Sequence, residues 1–322
     1  GTGPSRRQFL QWLAAAGLGT ALAACGAESE PAAPPASSDA PPATGQSTAP
    51  SAEGHPYLSV ARGSDAGAIT RAALAAIGGM ERFVKQGDDV IVKPNICVDY
   101  RTYEYGATTN PSVVAAVVEM CVGAGAQRVR VMDSPFAGSP ESAYNRSGIA
   151  EAVKAAGGKM EIMNPAKFRE VEIPEARDIT RWPLYQDILT ADLVINVPVA
   201  KHHSLARLSL GGKNFLGVAS TPSRLHSNLG QRVADVVSRV RPSLTVVDAV
   251  RTLMSHGPTG GNLDDVRLSE TVIASHDIVA ADAYAATLFD LTGEDISYVK
   301  AAAEMGLGTL DLDSVEIEEI AV

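Results

Sequence analysis

The sequence predicts an α/β fold, a mostly parallel sheet flanked by helices, and three observations carry that expectation. Short β-branched runs alternate with Ala-rich amphipathic stretches along the body. Several of those runs are apolar throughout, as strands buried on both faces are. Polar residues gather just past the ends of the runs, where open α/β sheets hold ligands.

Taken in order, a strand is expected over 57–61 and a helix over 66–77. The run 90–93 is a strand that Pro94 stops, because proline has no N–H to give a neighbouring strand. Thr108-Thr109-Asn110-Pro111 opens a helix running to residue 122, with Asn110 or Thr109 as cap and Pro111 in the first helical position. A strand over 128–132, a helix over 148–155 and a strand over 159–163 follow. The stretch 164–185 is richer in charge and holds Pro165, Pro174 and Pro183, so it reads as an excursion or a lobe boundary. Beyond it come a strand over 193–197, a helix over 229–240 and strands over 244–247 and 271–274. Helices over 278–288 and 297–304 and a last strand over 315–320 complete the body. Its roughly 270 residues suffice for one large domain or for two lobes sharing a sheet.

Ahead of this body lie two segments of different character. Ser5-Arg6-Arg7-Gln8-Phe9-Leu10 resembles the twin-arginine export consensus, and a stretch from Trp12 to Ala24 follows that only Thr20 interrupts. At about 13 residues it is shorter than the roughly 20 that a spanning helix needs. Leu22-Ala23-Ala24-Cys25 resembles a lipobox, which predicts a signal peptide over 1–24 cut before a lipidated Cys25. The expected partners are the twin-arginine translocase, the lipoprotein-processing enzymes and a membrane held through the lipid, facing periplasm or cell exterior. Residues 25–54 are Pro, Ala, Ser and Gly with scattered acids, and they read as a disordered tether to an α/β domain over 55–322.

Removing residues 1–24 takes away Arg6 and Arg7 and no acid, leaving 25 basic against 37 acidic side chains, a formal charge of −12. That balance argues against nucleic acid as a partner. Cys97 and Cys121, the other two cysteines, lie in no C-x-x-C or His-rich pattern. No cysteine-ligated iron–sulfur cluster or structural zinc is therefore expected, and the two either pair with each other or remain buried thiols.

The chemistry is expected at the strand ends. Lys93 and Asn95 flank Pro94, and Asp133 closes the 128–132 strand as a base, an acceptor or an orienting carboxylate. The densest group is Asn196 to His203 followed by Gly211 to Gly217, which brings Lys201, His202, Gly212, Lys213 and Asn214 close in sequence. A cationic, glycine-flanked cluster in an acidic chain points to an anionic small molecule or cofactor, such as a carboxylate or phosphate. Adjacent His202 and His203 point apart in an extended segment, so at most one of them faces the site. The loop Ser255 to Gly261 contributes Gly257, Gly260 and Gly261 near the ligand, with His256 as an acid or base titrating near neutrality. A metal site built from one of the paired histidines with His226, His256 or Asp133 has no supporting spacing. Asp282, inside an Ala-rich helix, is expected to bond a loop amide or a lysine.

These stretches resemble the domain-of-unknown-function 362 family. The matching residues are 92–95, 133–135, 196–202, 212–217, 257–261 and 277–282, with Lys-Asn-Phe-Leu-Gly and Gly-Pro-Thr-Gly-Gly the most specific. Many similar proteins carry an appended ferredoxin-like module, so the resemblance implies redox-associated work, but this chain lacks the cysteines for it. The reading is an exported lipoprotein whose α/β domain binds an anion in a Lys/Asn/His-lined cleft as an acid–base or redox-associated enzyme. The alternatives are a non-catalytic solute-binding or accessory lipoprotein and a metal-binding protein.

Overall fold

A computed structural model of the chain describes residue 55 and residues 57–322. The expected signal, Cys25 and the tether to residue 54 lie outside the described residues. The elements that build the sheet are β1 (Leu58–Arg62), β2 (Asp89–Pro94), β3 (Arg128–Val131) and β4 (Lys159–Met160). β5 (Phe168–Glu172) and β6 (Arg181–Tyr185) form a separate hairpin, and β7 (Leu193–Val197), β8 (Val199–His203) and β9 (Arg207–Ser209) follow. β10 (Leu244–Leu253), β11 (Val266–Ser275) and β12 (Ile317–Ala321) complete the strands. The helices are α1 (Ala66–Ala76), α2 (Pro111–Gly123), α3 (Pro140–Arg146), α4 (Ile149–Ala155), α5 (Gln186–Thr190), α6 (Gly211–Asn214), α7 (Leu229–Val240), α8 (Ile278–Thr287) and α9 (Ser297–Glu304).

The main sheet runs in the order β12-β1-β11-β10-β7-β2-β3-β4, with β8 pairing β10 and β9. β12–β1, β10–β7, β7–β2, β2–β3 and β3–β4 are parallel, while β11 lies antiparallel to both β1 and β10. The strands alternate between two buried faces, as a pleat of period two requires. Val90, Val92, Leu193, Ile195, Val246 and Val272 pack with α1, α2 and α4. Ile91, Val194, Val247 and Ile273 point the other way, into a core with α7, α8, α9 and the β5–β6 hairpin. Each such Val, Ile or Leu contributes about 1.5–3 kcal/mol by leaving water, so the two apolar faces fix the register of every central strand.

The expected helices lie where the pattern put them, with 229–240 and 297–304 matching in full. Asn110 is the cap of α2, accepting from the Ser112 N–H, and Pro111 takes the first turn. Asp277 caps α8 through the Val279 and Ala280 N–H groups. Three strands differ most in length from the expectation. β4 ends at Met160 instead of 163, while β10 and β11 extend to ten residues each because they zip together as a long antiparallel pair. The proline-marked excursion is the β5–β6 hairpin, with Trp182 and Leu184 buried against the α7 side of the sheet.

Candidate functional site

The chain order sets the place of the site. From β2 the sheet grows one way through β3 and β4, and it then returns to the other side of β2 with β7 and β10. The carboxyl ends of β2 and β7 therefore flank a topological switch point, where a crevice opens because successive connections leave in opposite directions. Lys93 lies opposite Asn196 across this parallel pair. Both side chains share the face of Ile91 and Val194, two residues back along each strand.

Six polar residues form one hydrogen-bonded network across the crevice. The Lys93 Nζ donates to Asp133 Oδ1 at 2.7 Å and to Asn214 Oδ1 at 3.2 Å. The same Asn214 oxygen accepts from Asn95 Nδ2 at 3.0 Å, and Asn95 Oδ1 accepts from the Lys201 Nζ at 2.8 Å. Asn214 Nδ2 donates to Lys93 O at 3.1 Å and to Asn196 Oδ1 at 2.9 Å, so its amide is satisfied on both ends. Lys93 is fully buried and Asp133 3% exposed, which makes theirs a dry ion pair. Burial presses the Lys93 ammonium below its ordinary value while Asp133 opposes that shift. The other Asp133 oxygen accepts from the Ile96 N–H at 2.6 Å, binding the loop after β2 to the end of β3.

The glycines beside this network are there because a side chain has no room. A Cβ on Gly217 would stand 2.5 Å from Asp133 Oδ1 and 3.0 Å from the Lys93 Nζ. At Gly211 the same atom would meet Asp282 Oδ1 at 2.7 Å. Asp282 clamps the start of α6 by accepting from Gly211 N at 2.6 Å and Gly212 N at 2.8 Å. The bond to a loop amide expected of this carboxylate is thus made twice, and burial pushes its carboxyl up to about 7. Asp248 plays a similar part on the other side, accepting from the Asn110 N–H at 2.6 Å, and burial raises it to about 6.

In front of the network lies a cavity of about 400 Å³. Asn95, Asp133, Lys201, Lys213 and Asn214 line it, together with His203, His226, Cys97, Ser209, Phe136 and Pro258. Lys213 makes no hydrogen bond or ion pair among the described residues. Burial and the nearby Lys201 charge bring its ammonium down to about 8, with the Cys97 thiol acting the other way. His203 is buried, and desolvation with the Lys213 and Lys201 charges holds it neutral down to about 3. Its Nδ1 accepts from the Leu205 and Ala206 N–H groups at 3.1 and 3.3 Å, so the ring proton sits on Nε2. His226 stands at the exposed rim, lowered by burial and by Lys213.

The structure thus draws together Lys93, Asn95, Asp133, Lys201, Lys213 and Asn214, and it places the other expected residues elsewhere. His203, the neighbour of His202, is the histidine of the pair that lines the cavity. His202 turns to the glycine loop, its Nδ1 accepting the Gly257 N–H at 3.1 Å. His256 has a side chain 78% exposed and pairs with Asp265 at 2.9 Å, away from the cavity lining. Gly257 packs its backbone onto β8, since a Cβ there would lie 1.8 Å from His202 O. Gly260 and Gly261 face Leu253 and Arg101, and Pro258 is the residue by which this loop reaches the cavity. Gly212 is covered by Tyr298 and Asp282 behind α6. Cys97 and Cys121 are separate buried thiols. Among the described residues no group of three or more His, Cys, Asp or Glu is placed to hold a metal ion. Phe136 and Ser209 are not singled out by the sequence, because only the tertiary fold brings their side chains to the crevice, whereas Pro258 lies in the loop expected there.

Fold and site together define an α/β body with a cation-lined cavity at the switch point of its sheet. The chain belongs to the family described as domain of unknown function (DUF362), whose profile matches residues 90–287. Residues 3–23 match the twin-arginine translocation pathway signal sequence, so the chain carries a signal for export across a membrane by the twin-arginine translocase. A thylakoid-associated protein of Synechocystis sp. is 27% identical over 257 residues, which are 74% of this chain and 75% of that protein. Among solved structures, the lactate racemase apoprotein from Thermoanaerobacterium thermosaccharolyticum aligns over 76% of this chain with 10% identity and a TM-score of 0.47. A Thermotoga maritima protein aligns over 71% with 11% identity and a TM-score of 0.39. The chain spans 56% and 60% of those two proteins.

Proposed function

We propose that the body is an anion-binding domain that holds a small organic carboxylate or phosphate in the cavity beside Lys201 and Lys213. One observation carries this reading. The Lys213 ammonium borders the cavity without a partner among the described residues, whereas the carboxylate lining the same cavity, Asp133, already serves Lys93. A cation desolvated in this way gains from an incoming anion that restores its missing counter-charge. Lys201 has two of its three donors engaged, by Asn95 Oδ1 at 2.8 Å and Ala107 O at 2.5 Å, and keeps one for a ligand. The Nε2–H of neutral His203 adds an uncharged donor. Capture of the ligand needs no turnover, so solute binding is the minimum that this geometry supplies.

The anchor belongs to the same proposal. Cleavage before Cys25 and lipidation there would leave residues 25–54 as a tether between a membrane outside the cytoplasm and the domain over 55–322. Support comes from the order of twin-arginine signal, apolar stretch and Leu22-Ala23-Ala24-Cys25. Labelling cells with a clickable fatty acid tests it: the wild type takes up label and sediments with membranes, and Cys25→Ser loses both. An unlabelled wild type rejects the anchor. For the cavity, titration calorimetry of the exported protein against a carboxylate and phosphate panel is expected to give binding that Lys213→Met weakens at least tenfold. Equal affinity in the variant rejects the site.

A further inference from the structure

We infer that Lys213 is a covalent attachment point, its Nζ condensing with the carbonyl carbon of a small 2-oxo acid or other carbonyl-bearing anion to form an imine in the cavity. This rests on the anion-binding reading above and narrows its ligand class.

The three lysines of the crevice differ in what their nitrogens are free to do. Lys93 is spent on Asp133, Asn214 and the Pro94 carbonyl, and Lys201 is held by Asn95 and Ala107. Lys213 has no partner among the described residues and borders the cavity. Its backbone is nevertheless fixed on both sides. The Asp282 clamp holds Gly211 and Gly212 before it, and the fully bonded Asn214 amide follows it. A rigid backbone carrying one unengaged amine into a cavity is the arrangement that nucleophilic lysine chemistry needs. The amine must also lose its proton near neutral pH. Desolvation and the adjacent Lys201 charge both favour that, and the lowering to about 8 is consistent with it.

The step balances without any oxidant or reductant. The Nζ lone pair attacks the carbonyl carbon, and the carbonyl oxygen takes a proton to give a carbinolamine. That oxygen then leaves as water while nitrogen gives up its remaining proton, forming C=N. The anionic end of the ligand meets the free donor of Lys201 and the His203 Nε2–H. His226 at the rim, lowered and therefore neutral near pH 7, is placed to carry the proton between the departing oxygen and solvent.

The test uses the exported, processed protein with pyruvate and sodium cyanoborohydride, followed by peptide mass mapping. Propionate, which has the charge without the ketone, is titrated in parallel. The expected result is one dominant reduced adduct at Lys213, suppressed by excess propionate and absent from Lys213→Arg. Circular dichroism and a cooperative thermal melt are expected to show that the Arg variant is folded, so that a missing adduct reads the loss of the amine. If propionate and pyruvate bind but no adduct forms, or label spreads over surface lysines, imine formation is overturned and the anion cavity stands. If neither carboxylate binds and no adduct appears, both readings fail.

Discussion

Replacing Asp133 by Ala tests how far the Lys93–Asp133 pair holds the crevice together. At 2.7 Å the two charges attract by about 6 kcal/mol for an effective dielectric constant near 20, and much of that is offset by the cost of removing both from water. Truncation removes the attraction and leaves the cost, because Lys93 stays fully buried with only Asn214 Oδ1 and the Pro94 carbonyl as acceptors. The Ile96 and Ser134 N–H groups lose their acceptor as well. Together these changes are expected to cost about 3–5 kcal/mol, a large part of the roughly 5–15 kcal/mol that folded domains possess. Urea unfolding followed by circular dichroism measures it as a shift of midpoint at unchanged slope. Two controls isolate the cause. The double variant Lys93→Met with Asp133→Leu removes the orphaned charge and is expected to regain about half of the loss or more. Added acetate is expected to raise the melting temperature of Asp133→Ala more than that of the wild type, since Asp133 borders the cavity and its vacated place admits a carboxylate. A loss under about 1 kcal/mol, or a double variant weaker than the single one, refutes the reasoning.

Three further outcomes follow from the same geometry. Lys213→Met is expected to stabilise the protein by about 1–3 kcal/mol at pH 7 while weakening anion binding. The folded ammonium titrates near 8 instead of 10.5, so the folded state binds fewer protons between those values and its penalty is complete below pH 8. The stability gain of the variant is therefore expected to shrink above pH 8 in thermal melts, and wild-type anion affinity to fall over the same range. Gly217→Ala forces a methyl against Asp133 and Lys93 and is expected to cost about 1–3 kcal/mol by urea unfolding, with weaker carboxylate binding. Gly257→Ala puts a Cβ 1.8 Å from the His202 carbonyl oxygen, which cannot swing aside as a side chain would. It is expected to cost more than about 2 kcal/mol, and a melting temperature equal to the wild type's would show that the loop does not pack on β8 as described.

The architecture was legible because its signals are local. An apolar run or an Asn-Pro cap is written in neighbouring residues, and β7, α7 and α9 appear where such local signals lie, whereas Pro94, expected to end the pairing, is still paired with Val197 as the last residue of β2. Lys93, Asp133, Lys201, Lys213 and Asn214 were legible for a related reason: each sits at or just past a strand end or in the glycine-flanked cluster beside it. What sequence does not show is which way a side chain leaves the backbone. His202 and His203 differ by one step of a β-strand, so they face opposite directions, and the turn after β8 decides which meets the cavity. The Gly-Pro-Thr-Gly-Gly loop has the composition of a ligand-binding loop. Gly257 is glycine for another reason, the close approach of its backbone to β8. Short elements such as β8, β9 and α6 carry too few residues for any periodicity, and they exist because β10 and Asp282 hold them.

The sign of the cavity is set locally and against the charge of the whole chain. Beyond residue 24 the chain carries −12, a charge that opposes anions at long range. At physiological salt that opposition fades over about 8 Å, while the cations at the crevice lie in a poorer dielectric where screening is weak. Asp133 cancels Lys93 inside the network, so the cations left to face the cavity are Lys201 and Lys213. The buried pair therefore has a structural task, and the binding task that we propose falls to the two remaining lysines. The division follows from hydrogen-bonding capacity. Lys93 is saturated by acceptors around it, Lys201 is held with one donor left, and Lys213 is held only through its backbone. A side chain that the fold positions without satisfying is the one that the proposed anion would complete.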